Sequence, residues 1–327
     1  MKTVSIIIPC LNEEKTIRRV LQALYDQQFP RDQMEVVIAD GGSNDHTLMV
    51  IDEFRTQHAD LEIRVVENPQ KQIPVALNLA IRAAQGEIII RMDGHSLPAL
   101  NYVVTCVNDL LAKRGDNVGG RWEIIPGAET WMARGISAAA AHPLGVGNVR
   151  YRISGEAGPV DTVPFGCYYR SLFDRVGYFD ESLLTNEDYE LNTRIREMGG
   201  IVWFDPDIVC QYYSRSTLFD LARQYWRYGF WKARMVKRYP SSIKLRQLLP
   251  PLFVAGLVFL LVSGFFFHYF LIAFFAVFFL YMGIIVIASI PEVRKRNDLS
   301  LIAGMPLAIL TMHITWGSGF IISLLVR

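Results

Sequence analysis

Ile88-Ile89-Ile90-Arg91-Met92-Asp93-Gly94-His95 is the stretch whose reading decides the fold. Three consecutive β-branched residues, preceded by Gly86-Glu87, read as a buried strand of a parallel sheet. The strand runs out on a carboxylate and an imidazole two positions apart. In open α/β sheets ligands occupy the crevice outside the carboxyl ends of the strands. An Asp-x-His there offers one hard oxygen and one borderline nitrogen to a divalent cation. Asp-Gly is also a common hairpin-turn dipeptide, but a hairpin needs a second strand at once. The next segment, 98–114, instead carries Leu100, Val103, Val104, Val107, Leu110 and Leu111 at helical spacing. The reading is a metal-binding loop.

Upstream, strands alternate with helices. Val4 to Ile8 is a first strand, too short for a signal peptide before Pro9. A loop, Pro9 to Glu14, leads into a helix with Ile17, Val20, Leu21 and Leu24 on one face. Val36 to Ala39 is a second strand, ending on Asp40-Gly41-Gly42-Ser43-Asn44-Asp45. A helix from about Thr47, a strand Ile63 to Val66 and a helix from Pro74 come next. This alternation predicts a mainly parallel sheet with helices on both faces. The glycine-rich phosphate loops of dinucleotide and P-loop proteins are missing. A phosphate-bearing ligand would therefore be held by acidic residues and a metal.

The middle of the chain alternates less cleanly. Arg121 to Ile125, Cys167 to Arg170, Ile201 to Phe204 and Ile208 to Tyr213 are expected strands. Thr185-Asn186-Glu187-Asp188 opens a helix that Gly199-Gly200 closes. Two readings of Asp188 stay open at this point. It pairs with Thr185 at capping-box spacing, or it is a general base aimed into the cleft below Asp93.

The chain is 327 residues long, 51% hydrophobic, with net charge +1. That small charge hides an asymmetry. From Ser214 to Arg246 nine Lys or Arg face one acid, Asp220, a net of +8 that leaves −7 for the rest. A basic, Trp- and Tyr-rich helix over Thr217 to Met235, placed just before an apolar block, points to anionic lipid headgroups rather than nucleic acid. Leu248 to Ile290 contains 43 residues without a formal charge. As helix it would measure roughly 65 Å, about two bilayer cores. Two spans are expected, 248–266 and 270–290, turning near His268-Tyr269. A basic loop 291–296 and a third span 299–326 complete the chain, with the basic segments in the cytoplasm by the positive-inside rule and Arg327 on the outer side. Gly304 and Ala308 form a small-xxx-small pair suited to a neighbouring helix. Cys10, Cys106, Cys167 and Cys210 are widely spaced, which fits reduced thiols in a cytosolic compartment. The expected organisation is 1–214 catalytic, 215–247 interfacial helix and basic linker, and 248–327 membrane domain.

With these motifs in place, the chain resembles family 2 inverting glycosyltransferases of GT-A fold, in particular bacterial succinoglycan-type membrane glucosyltransferases. The resemblance covers about residues 3–235. It rests on Ile8 to Glu14, Asp40 to Thr47, Asp93-Gly94-His95 and Glu187-Asp188, in that order. It implies a Rossmann-like α/β domain followed by a helical transmembrane bundle. It further implies transfer of a sugar from a nucleotide-diphosphate sugar, UDP-linked, to a prenyl-linked saccharide acceptor in cell-surface glycan synthesis. By the resemblance Asp188 is the catalytic base, and Asp93 with His95 holds Mg²⁺ or Mn²⁺. Pro9, Asn12, Glu13, Asp40, Ser43, Lys71, Asn78, Arg91, Asp93 and Arg227 fall on the donor side. Gly166, Cys167, Glu187 and Gln224 fall on the acceptor side. The implied location is the inner membrane, with a cytoplasmic catalytic domain and the basic helix presenting the acceptor. Two departures stand out. Gly41 replaces the second Asp of the family's Asp-Asp-Gly-Ser, and Tyr228 replaces the Trp of the Gln-x-x-Arg-Trp signature of processive synthases. Alternatives are a processive synthase, a polyprenyl-phosphate glycosyltransferase and a non-catalytic nucleotide-sugar-binding module.

Overall fold

The computed structural model describes residues 3–326, so Arg327 lies outside the described residues. The chain divides into two compact units, Met1–Glu123 with Ser154–Tyr212, and Ile124–Ile153 with Tyr213–Arg327.

The first unit is built on one sheet. Its strands are β1 Val4–Cys10, β2 Met34–Asp40, β3 Glu62–Glu67, β4 Ile88–Arg91, β5 Leu97–Pro98, β6 Asn117–Ile125, β7 Gly158–Pro159, β8 Cys167–Tyr169 and β9 Val202–Tyr213. Their order is β3-β2-β1-β4-β8-β6-β9-β5, with β7 on β9. The half β3-β2-β1-β4 is parallel, as the βαβ alternation requires. From β8 onward the sheet turns antiparallel. Around it lie α1 Ile17–Tyr25, α2 Thr47–Gln57, α3 Ile73–Ala83 and α4 Tyr102–Leu111. The α1 face predicted from periodicity, Ile17, Val20, Leu21 and Leu24, is fully buried against Ile6, Ile8, Val36 and Ile38 in the main core.

Two expectations change here. The segments read as two strands form one, β9, which passes through Pro206 unbroken. Proline removes a ladder donor, but Arg121 Nε donates to the Pro206 carbonyl at 3.0 Å and Asp205 accepts from the Asp207 N–H at 2.8 Å. Side chains thus repair the local gap. The segment between β6 and β7, unread in the sequence, folds as α5 Trp131–Ala140, α6 Pro143–Val146 and α7 Arg150–Ile153. After β8 come α8 Leu172–Val176 and α9 Glu187–Glu197.

The second unit contains α5 to α7, α10 Leu218–Arg238, α11 Leu245–Gly264, α12 His268–Arg296 and α13 Leu301–Leu325. Three of these, α11, α12 and α13, are long and apolar enough to cross a membrane. The expected basic loop 291–296 is instead the last turn and a half of α12. Pro291 is carried inside the helix, and Arg296 pairs with Glu292 one turn back. His268 starts α12 rather than forming the turn, which is Phe265 to Phe267. Gly304 does meet a helix: a Cβ on Gly135 of α5 would come 2.4 Å from the Gly304 carbonyl carbon. Only two facing glycines allow backbones that close.

Candidate active site

The loops after β1, β2 and β4 leave the sheet side by side because their strands are parallel neighbours in register. The first two are tied together. Asn12, at φ 57°, donates its N–H to Ser43 Oγ at 2.9 Å and accepts from the Asn44 N–H at 2.9 Å. Asp40 is buried and turns its loop by accepting from Gly42 N, Ser43 N and Ser43 Oγ at 2.9, 3.0 and 2.6 Å. Lys71 joins them, its ammonium 3.9 Å from the position a Cβ on Gly42 would take. Pro9 stays in β1 opposite Ala39. The motif residues Asn12, Asp40, Ser43 and Lys71 thus form one rim.

Glu13 bridges that rim to the β4 loop. Its Oε1 lies 3.0 Å from His95 Nδ1, its Oε2 accepts from Thr16 Oγ1 at 2.7 Å, and its N–H is held by Thr47 Oγ1 at 2.8 Å. Gly94 permits this approach, since a Cβ there would sit 3.1 Å from Glu13 Cγ.

At the centre is Arg91, the last residue of β4 and 3% exposed. Its Nη2 donates to Glu187 Oε1 at 2.9 Å and to Asp93 Oδ1 at 3.2 Å, while Nη1 forms an ion pair with Asp188. Neither Arg91 Nε and Nη1 nor Asp188 Oδ1 makes a hydrogen bond of ordinary geometry. One buried cation therefore ties the acid at the β4 end to both acids at the start of α9. Burial pushes Asp188 up to about 7, with Arg91 pulling it down and Glu187 pushing it further up.

The helix start at Asp188 is not a capping box. Asn186 is the N-cap, in the left-handed region at φ 69° and without a side-chain cap bond, and Thr185 Oγ1 donates to the Leu184 carbonyl. Asn186 in this conformation opens the helix. It leaves Glu187 and Asp188 in the first turn, facing Arg91.

Several expected site residues do other work. Asn78 is buried, and its amide is spent on Phe179 N, Phe179 O and Glu181 Oε1, so it braces the chain before α9 instead of a donor. Arg91 faces three carboxylates. Cys167 is fully buried on β8 beside Ile90, because an antiparallel neighbour of β4 turns that side chain into the core. Gly166 contributes its carbonyl to Arg91 N at 3.0 Å. A Cβ there would overlap Tyr168 Oη at 2.2 Å and Asn117 Oδ1 at 2.3 Å. Gln224 and Arg227 belong to the second unit, where Gln224 donates to Tyr228 Oη at 2.9 Å. The central role of Arg91 did have a signal in the sequence, a charge at the end of an otherwise apolar strand. A buried arginine there has to find carboxylates.

No group of three or more His, Cys, Asp or Glu placed to hold a metal occurs among the described residues. The pair Asp93 and His95 still fits a hard divalent cation whose shell is completed by diphosphate oxygens and water. With Nδ1 against Glu13, His95 would ligate through Nε2.

The chain as a whole is similar to known proteins. The family profile described as "Glycosyl transferase family 2" matches residues 5–177. A Methanococcus voltae protein, dolichyl N-acetyl-alpha-D-glucosaminyl phosphate 3-beta-D-2,3-diacetamido-2,3-dideoxy-beta-D-glucuronosyltransferase, is 27% identical over 98% of this chain and 96% of its own. The succinoglycan biosynthesis protein ExoA of Rhizobium meliloti is 30% identical over 75% of this chain and 73% of its own. Among solved structures, the mannosyltransferase PcManGT of Pyrobaculum calidifontis, in complex with GDP-Man and Mn²⁺, superposes with a TM-score of 0.63. That likeness has 22% identity and covers 94% of this chain and 86% of the other.

Proposed function

Since this chain belongs to glycosyl transferase family 2, we propose that it is an inverting, metal-dependent hexosyltransferase that moves a sugar from a nucleotide-diphosphate sugar to a prenyl-linked saccharide. The observation that carries the reading is the Arg91 hub, which holds Asp93 and Asp188 on different nitrogens of one buried guanidinium. A single displacement needs one acid on the donor's metal and one near the acceptor.

In this reading Asn12, Asp40, Ser43 and Lys71 line the nucleotide. Asp93 and His95 hold the cation, and Glu13 orients His95. When bound, the cation neutralises charge on the departing diphosphate. Asp188 accepts the proton of the acceptor hydroxyl as that oxygen bonds to the anomeric carbon and the bond to the diphosphate oxygen breaks. Arg91 keeps Asp188 ionised and aimed. A group titrating near 7 suits a base working at neutral pH.

The relatives support the acceptor class, since one is named for transfer onto a dolichyl phosphate-linked sugar and another for succinoglycan biosynthesis. The apolar helices support a membrane-embedded enzyme. The clusters Arg223 to Arg238 and Arg294 to Arg296 support a cytoplasmic catalytic domain at the inner membrane. Tyr228 in place of Trp favours single addition over processive synthesis.

The test is a donor screen with purified full-length protein and a polyprenyl-diphosphate saccharide, scoring nucleoside diphosphate release and the extended lipid. Release that requires acceptor and divalent cation, and that Asp188→Asn abolishes, supports the proposal. Undiminished transfer by Asp188→Asn overturns it.

A further inference from the structure

Length and composition qualify α11, α12 and α13 alike as membrane spans. Their surroundings separate them. From Leu248 to Ile290 no formal charge interrupts the α11–α12 hairpin. It closes at Phe265 to Phe267, with Gly264 against Leu271 and Phe253 against Tyr281, their rings tilted with centroids 4.4 Å apart. The side chains of α12 are almost all left for lipid, with 6% of its most apolar stretch buried, against 39% for α13.

Besides α5 and the hairpin itself, a charged helix covers α13. α10 runs parallel to it from end to end. Leu221 and Tyr225 share a core with Met305, Ile309 and Met312, Gly229 lies on the Trp316 carbonyl, and Lys237 Nζ donates to the Ser323 carbonyl at 2.9 Å. Gly319 meets the Trp226 carbonyl in return, so the two backbones are in contact and take the same path. Yet α10 exposes Asp220, Arg223, Arg227, Lys237 and Arg238 along its 21 residues. Charges at the start, middle and end of a helix about 31 Å long cannot all avoid a hydrocarbon core of about 30 Å. Ionised groups at such depth are strongly disfavoured.

Both ends of α13 also return to one end of the hairpin. Leu301 follows α12 after a short turn at 297–300. Ser323 is tied to Lys237, which precedes the start of α11 by a single 3-10 turn folded back on Lys232. In between, His313 Nδ1 lies 2.9 Å from Tyr281 Oη and Gly317 abuts the Pro250 carbonyl, contacts away from the Phe265 to Phe267 turn.

We infer that α13 does not cross the bilayer but lies with α10 along its surface, so that the chain crosses twice and residue 325 returns to the side from which α11 enters. The partner of this paired surface is an anionic leaflet. The apolar side chains of α13 and the rings of α10 rest in the interface while the basic groups meet headgroups. This topology holds whichever sugar or acceptor the enzyme uses.

Phe266 and Leu325, 77% and 79% exposed, report the two predicted sides, and the four native cysteines are all buried. Full-length Phe266→Cys and Leu325→Cys are expressed in cells and treated with a membrane-impermeant maleimide before and after lysis. The two cysteines should label from opposite sides, whichever way the protein inserts. Labelling of both from the same side would mean three crossings and overturns the inference. The same pair of positions carrying a phosphatase reporter gives an independent reading. Activity at one site only supports two crossings, and matching activity at both overturns them.

Discussion

Arg91 shows how much one residue organises. It is a buried cation among three carboxylates, and removing it would leave them facing one another without a counter-charge. Asp188→Asn removes the base but keeps the shape. Turnover should fall by roughly 10² to 10⁴, with donor affinity and melting temperature unchanged. A mutant that keeps its rate and melts lower would return Asp188 to a structural role. The pH profile has a definite sign. With Asp188 pushed up to about 7, the base is progressively protonated as pH falls through that value, so kcat/KM should drop about tenfold per unit on the acid side. Arg91 holds that value down, so Arg91→Met should move the acid limb to higher pH and lower the melting temperature, with Arg91→Lys in between. An unmoved limb would mean that Arg91 does not act on the base. Thr185→Ala is the matching negative test. Its hydroxyl donates to the Leu184 carbonyl and Asn186 holds the N-cap, so stability should change by less than about 0.5 kcal/mol, where loss of an N-cap costs about 1.

At the scale of elements, backbone contacts do what side chains could not. β8 can lie against β4 and β6 only because Gly166 leaves room for Tyr168 and Asn117. Gly166→Ala should therefore destabilise the fold by about 1–3 kcal/mol through overpacking, read as a lower midpoint in thermal or denaturant unfolding. An unchanged midpoint would mean that the neighbouring side chains step aside freely. The loop after β4 obeys similar logic. Glu13, from the loop after β1, reaches His95 across two parallel strands, so Glu13→Gln should weaken Mn²⁺ binding, measured directly by the metal's magnetic resonance signal, by about 10-fold or more. Equal affinity would leave Glu13 to the nucleotide alone.

For the whole molecule, the prediction concerns lipid. Arg223 and Arg238 are exposed on α10, and each basic group near an anionic surface contributes about 1 kcal/mol. The double variant Arg223→Glu with Arg238→Glu should retain membrane insertion through the hairpin. In nanodiscs, its transfer to a lipid-linked acceptor should no longer rise with the anionic lipid fraction. A response equal to that of the wild type would detach α10 from any role at the leaflet. Lys232 does not belong in such a test. It is 2% exposed with its ammonium on the Ser242 carbonyl, and charge reversal there would damage the fold.

The pattern of residues along the chain by itself determined the βαβ half of the sheet, its order of elements, the basic helix and the apolar hairpin. These arise from periodicity, which depends on neighbours within one helix turn or one strand pair. The strand end singled out Asp93 and His95 as candidate ligands, because ligands gather where parallel strands end, whereas Asp188 was singled out as a base only by the family resemblance. Tertiary structure alone decided what those residues touch. Asn186, not Thr185, takes the N-cap of α9, and the antiparallel placement of β8 buries Cys167. The bracing of Phe179 consumes Asn78, and the burial of Arg91 sets it among three carboxylates. The same holds for the membrane. Hydropathy is a property of α13 taken alone, whereas its path depends on the charged helix packed along it, and no window on the sequence contains both.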